Sequence, residues 1–119
     1  LLAEADVVSL HVPLTDRTRH MINGAALARM KPDAVLINAA RGGVVDEPAL
    51  AEALRNGRLG AAALDVFEVE PLSADAGAVF AGLGNLILTP HIAGVSEESN
   101  VRASAMTAAN VLRHLEKPA

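Results

Sequence analysis

Four short apolar runs punctuate the chain: "VVSLHV" (7–12), "AVLIN" (34–38), "GAAALDVF" (60–67) and "NLILTP" (85–90). Each is continuous rather than alternating, the pattern of strands covered on both faces of a parallel sheet. Helical signals separate most of them. Asn23-Gly24 leads into "AALARM", which Lys31-Pro32-Asp33 stops. Asp46-Glu47 precedes Pro48, which a first helical turn tolerates, and "ALAEALRN" then runs to Gly57. Residues 70–85 predict a loop with at most a short helical turn. A last helix begins at Ser96, with Glu97 and Glu98 suited to the positive end of its dipole. Its apolar stripe, Val101, Ala105, Ala108, Leu112 and Leu115, is expected to pack on the sheet or on a partner domain.

Strand and helix in alternation predict an α/β fold with a parallel sheet. A complete doubly wound nucleotide-binding domain has about six strands and a glycine-rich phosphate loop. Four strands are predicted here, and "GGVVDE" lacks the third glycine of G-x-G-x-x-G. The chain also begins inside an element, without an initiator Met. It therefore reads as the later half of a Rossmann-type domain (1–95) followed by a C-terminal helical segment (96–119). The glycine-rich loop and an N-terminal substrate domain are expected to lie outside it.

Composition narrows the classes. The 119 residues hold no cysteine, so disulfides and thiolate metal sites are excluded, no metal is expected, and a cytoplasmic setting is the expectation. A formal charge of -4 and two Phe as the whole aromatic content argue against a nucleic-acid surface. No apolar stretch approaches the roughly 20 residues of a membrane span. Four strands with an unpaired edge predict a homodimer or a missing partner segment.

The ends of the apolar runs carry the chemistry. The first closes on His11-Val12-Pro13, the second on Asn38-Ala39-Ala40-Arg41, the third on Asp65 and then Glu68 and Glu70, the fourth on Thr89-Pro90-His91. In a parallel sheet these ends share one rim, where open α/β proteins bind ligands. Arg41 has an ordinary alternative, a surface pair with Asp46. Its Ala-Ala and Gly-Gly flanks point instead to room for a ligand, and a guanidinium fork grips a carboxylate with two hydrogen bonds. His91 sits where an imidazole can exchange a proton with a substrate oxygen; His11, His20 and His114 read as structural. Glu68 or Glu70 supplies a carboxylate for His91. Pro71 favours Glu70, and Glu68 reads as a solvated loop acid. Asp65, inside an apolar run, either caps a neighbouring loop or accepts from a ligand amide.

Taken in order, "HVPLTDRTRHMIN", "INAARGGVVDEPAL", "ALDVFEVEP" and "LTPHIAG" resemble the NAD-dependent D-2-hydroxyacid dehydrogenase family over the whole chain. The resemblance implies an oxidoreductase that interconverts a small 2-keto acid and a D-2-hydroxy acid by hydride transfer with NAD, NADP being left open. It implies a catalytic set of Arg41, Glu70 and His91. Arg41 and His91 would meet the substrate, and Glu70 would hydrogen-bond His91. For the cofactor it implies Val12, Pro13, Thr18, Ala39, Ala40, Arg41, Asp65, His91, Ala93 and Gly94. Some relatives of this family act as NAD-sensing corepressors, which is the second reading. Related formate dehydrogenases carry glutamine where Glu70 stands, which disfavours that activity.

Overall fold

In the computed structural model, residues 1–115 are described; the last four residues of the expected 96–119 segment lie outside them. Four strands, β1 (Val7–Leu10), β2 (Val35–Asn38), β3 (Ala61–Leu64) and β4 (Leu86–Leu88), form one sheet in the order β1-β2-β3-β4. All three pairings are parallel. Each apolar run thus contains one strand, and the parallel α/β expectation holds.

The connections are helical. α1 (Gly24–Leu27) is capped by Asn23, whose side chain accepts from the Ala26 N–H. It is a single turn, shorter than "AALARM" suggests, because turn hydrogen bonds from Arg29 to Ala26 and from Met30 to Leu27 replace the regular ladder before Pro32. α2 (Glu47–Arg55) is capped by Asp46, which accepts from the Ala49 N–H, with Pro48 in its first turn. α3 (Ala74–Gly77) is capped by Ser73 and runs into a 3-10 turn at Ala78–Phe80. α4 (Glu97–Leu115) starts where Ser96 Oγ accepts from the Ser99 N–H.

The core lies on one face of the sheet. Val8 and Leu10, Leu36 and Asn38, and Ala62 and Leu64 alternate inward under α1 and α2, where Leu27, Leu50, Ala51 and Leu54 meet them. The expectation of strands covered on both faces is corrected here: Val7 is 57% and Ile87 65% exposed. A continuous apolar run shows that both faces avoid water, but not that this stretch of chain supplies both covers. α4 narrows a second expectation, that its stripe packs on the sheet or on a partner domain. It has no buried residue, and Val101 (71%) and Leu115 (74%) stay exposed, so its stripe does not pack on this sheet. Among the described residues no helix is long and apolar enough to cross a membrane.

Candidate active site

At the end of β2 the chain turns through Asn38, which is buried although polar. Its side chain accepts from the Ala40 N–H at 3.1 Å and donates to the Arg41 carbonyl at 3.0 Å. One amide therefore fixes the backbone on both sides of Ala40 and so aims Arg41 off the rim. Arg41 does not pair with Asp46, which is engaged as the α2 cap. Its Nη1 donates to the Ala40 carbonyl, leaving the rest of its fork for another partner. Ala39, Ala40 and Arg41 line a groove of about 330 Å³ with His11, Val12 and Pro13 from the end of β1.

The glycines after Arg41 serve a purpose other than the one expected. A Cβ on Gly42 would fall 1.7 Å from the Phe67 carbonyl oxygen. Gly42 thus lets two loops touch rather than opening space for a ligand, and only the alanine side of the flank faces the groove. Gly43 follows with φ 76, a left-handed conformation that glycine adopts without strain.

At the end of β3 the chain reaches Glu70. Its Oε1 accepts from the Phe67 N–H at 2.9 Å, and its Oε2 meets His91 Nδ1 at 2.8 Å. The bond from His91 and then that from Phe67 hold the Glu70 carboxyl below its ordinary pKa, so it is ionised at neutral pH. An ionised carboxylate only accepts, so Nδ1 carries the shared hydrogen and Nε2 is the ring nitrogen left for chemistry. Beside this pair lies an apolar groove of about 560 Å³ walled by Phe67, Leu72, Leu88 and Pro90.

His91 has φ 55, a left-handed conformation uncommon away from glycine. Asp65 holds the backbone around it. Oδ1 accepts from Thr89 Oγ1 at 2.5 Å and from the Ile92 N–H at 2.9 Å; Oδ2 accepts from the Ala93 N–H at 2.9 Å. Of the two roles open to Asp65, the loop cap is therefore present. Burial raises its pKa, but these three bonds, with the nearby His91, outweigh that and leave it lowered. Arg41 and His91 each lie three residues beyond strand positions joined through the register Asn38–Leu64–Leu88. They project from one rim with β3 between them, ~10 Å apart at the strands.

Other expectations change. Glu68 is exposed, as expected of a loop acid, but it is also paired: its Oε1 meets His20 Nε2 at 3.0 Å and Arg19 Nη1 at 3.3 Å. That accounts for His20 as structural. His11, also expected to be structural, lines the Arg41 groove, with Nε2 2.9 Å from Ser9 Oγ. Thr18 closes its own loop, donating to the Pro13 carbonyl and accepting from the Thr15 N–H, and does not line that groove. Nor do Asp65, Ala93 and Gly94. His114 stands exposed in the last turn of α4. Asn38 was missed as a site residue; its signal was an amide closing an apolar strand. Among the described residues no three His, Asp or Glu side chains are grouped to hold a metal ion.

Residues 1–93 match the family model described as D-isomer specific 2-hydroxyacid dehydrogenase, NAD binding domain. The chain is 62% identical over 115 residues to the (S)-sulfolactate dehydrogenase of Chromohalobacter salexigens, covering 97% of this chain and 37% of that protein. The structure resembles a D-lactate dehydrogenase from Aquifex aeolicus complexed with NAD and lactic acid. There the TM-score is 0.81 at 38% identity, over 97% of this chain and 38% of that one. An acyclic imino acid reductase in complex with NADPH and D-Arg matches with a TM-score of 0.83 at 34% identity, over 96% of this chain and 36% of that one. The chain thus spans little more than a third of the length of these relatives.

Proposed function

The chain belongs to the D-isomer specific 2-hydroxyacid dehydrogenase family, in its NAD-binding domain, and on that premise we propose that it carries the catalytic half of an enzyme reducing small 2-keto acids to D-2-hydroxy acids, reversibly. The observation that carries this reading is the 2.8 Å Glu70–His91 contact on the same strand-end rim as Arg41.

The groove at Val12, Pro13, Ala39 and Ala40 fits a flat cofactor ring: these four side chains are small and uncharged, and Arg41 and His11 complete the lining. The carboxamide is assigned to Asp65, whose Oδ2 bears one protein hydrogen bond and keeps an acceptor position. Ala93 and Gly94, on the segment that Asp65 holds, would flank it. A nicotinamide bound there supplies or takes the hydride. Both NAD and NADP remain within the proposal, since relatives of either kind share the fold.

Arg41 grips the substrate carboxylate with its planar fork and orients the keto group. His91 gives the Nε2 proton to the keto oxygen as charge builds there. The neutral ring that results keeps Nδ1–H, so its bond to Glu70 survives the step. In the reverse direction the same Nε2 takes the hydroxyl proton. Glu70 fixes the tautomer and favours the charged imidazole that reduction requires.

The handedness has independent support from the relative's name. In (S)-sulfolactate the sulfomethyl group outranks the carboxyl, so (S) there has the spatial sense of D-lactate. Sulfopyruvate accordingly joins pyruvate as a candidate keto acid. The relatives named here are enzymes, and the corepressor reading draws no support from them. NADH and NADPH oxidation by the full-length protein across these keto acids tests the proposal. Turnover of at least one is expected; none with either cofactor would refute it.

A further inference from the structure

Glu47 is a carboxylate that the mechanism above does not use, yet it is buried, only 8% exposed, at the first position of α2. A first-turn glutamate favours a helix from the surface; one that is buried needs a further reason. Its Oε1 accepts from the Glu68 N–H at 2.6 Å. The Phe67 and Glu68 peptides are thereby held from three directions. Gly42 of the Arg41 loop lies against the Phe67 carbonyl, Glu47 takes the Glu68 N–H, and Glu70 takes the Phe67 N–H. Three residues after Phe67 comes the carboxylate that meets His91.

We propose that Glu47 is a positioning residue: by binding the Glu68 N–H it sets the Phe67–Glu70 turn against the Arg41 loop and so holds Glu70 in reach of His91 Nδ1. The inference rests on the reading of His91 as the proton donor for its kinetic consequence, but not for its geometry. Without the Glu47 bond the Glu68 N–H loses its partner and the turn is free to follow the Glu68 side chain. That side chain is drawn away toward His20 and Arg19. The charged and titratable groups around Glu47 are Glu68, His20 and Glu70, with Arg19 beyond Glu68; those around His91 are Glu70 and Asp65.

The test uses the full-length protein labelled with 15N-histidine. The signal is the Nδ1–H proton of His91, assigned by its disappearance in His91→Gln. Glu47→Ala removes the acceptor. Glu47→Asp shortens it by one methylene while keeping the charge and helix-start preference, and remains informative should the alanine variant fail to fold. Glu47→Gln keeps an oxygen that can accept the same bond. The resonance is expected to vanish in Glu47→Asp and Glu47→Ala and to persist in Glu47→Gln. Its persistence in Glu47→Asp would overturn the proposal, as would its loss in Glu47→Gln. In reduction assays, kcat should fall roughly ten- to a hundredfold in Glu47→Asp with KM for the nicotinamide cofactor near wild type. If wild type reduces no keto acid, the functional reading fails, whereas the resonance still decides the role of Glu47.

Discussion

Gly42 and Phe67 lie so close that a single added carbon on Gly42 would sit 1.7 Å from the Phe67 carbonyl oxygen and 2.2 Å from its carbon. This contact joins the loop that carries Arg41 to the turn that carries Glu70. A Gly42→Ala variant must therefore move backbone rather than a flexible side chain. A loss of about 1–3 kcal/mol in stability is expected from such overpacking, with kcat falling as well. Denaturant unfolding measures the first; a midpoint equal to wild type would show that the loops do not meet in this way.

Arg41→Lys preserves charge but not the planar fork. A charge-assisted bond contributes about 1.5–3 kcal/mol, so kcat/KM for keto acids should drop ~10–100-fold, with KM raised and kcat lowered. Steady-state kinetics decide it, and unchanged constants would remove Arg41 from the site.

Asp65→Asn turns an acceptor on the Ala93 N–H into a donor, leaving the buried side chain mismatched with that N–H. The expected cost is about 1–3 kcal/mol at neutral pH. Asp65 has a lowered pKa in the fold, so its stabilising contribution is complete above the ordinary value of 3.8 and is lost as pH falls through the folded value. The Tm gap between wild type and variant should accordingly narrow in strong acid. A gap independent of pH would mean that the carboxylate charge is not what holds the His91 segment.

Glu47 has the opposite sign. Burial, its largest influence, raises its pKa above the ordinary 4.5, against the lowering effect of the Glu68 N–H. The charged form is thus disfavoured in the fold, a penalty fully present at neutral pH and relieved as pH falls through the raised value toward 4.5. Glu47→Gln should raise Tm at pH 7, with the advantage fading on acidification. Thermal melts at two pH values check this, and a lower Tm at pH 7 would contradict it.

What could be read from the residues differs by range. The strands were legible because continuous Val, Leu, Ile and Ala runs admit few alternatives, and α2 because Asp46, Glu47 and Pro48 are each start signals. The rim was legible because every run ended on a polar or constrained residue, which put Arg41, Asp65, Glu70 and His91 together. The partners of Glu68 were not, since Arg19 and His20 lie nearly 50 positions away. The role of Gly42 was misread for a similar reason: a small residue permits close approach but does not say whether ligand or backbone approaches. The exposed stripe of α4 and the open sheet face show the same limit, because an apolar surface names no partner.

The central claim, that this rim performs D-specific hydride transfer with His91 as proton donor, is tested most directly by isotope. The full-length protein is given a 2-keto acid and a nicotinamide cofactor dideuterated at C4, and the product is examined for deuterium at C2 and for configuration. Wild type is expected to give deuterated D-2-hydroxy acid, and His91→Gln to lose most of its formation. A product without deuterium, a product of L configuration, or an undiminished rate in His91→Gln would contradict it.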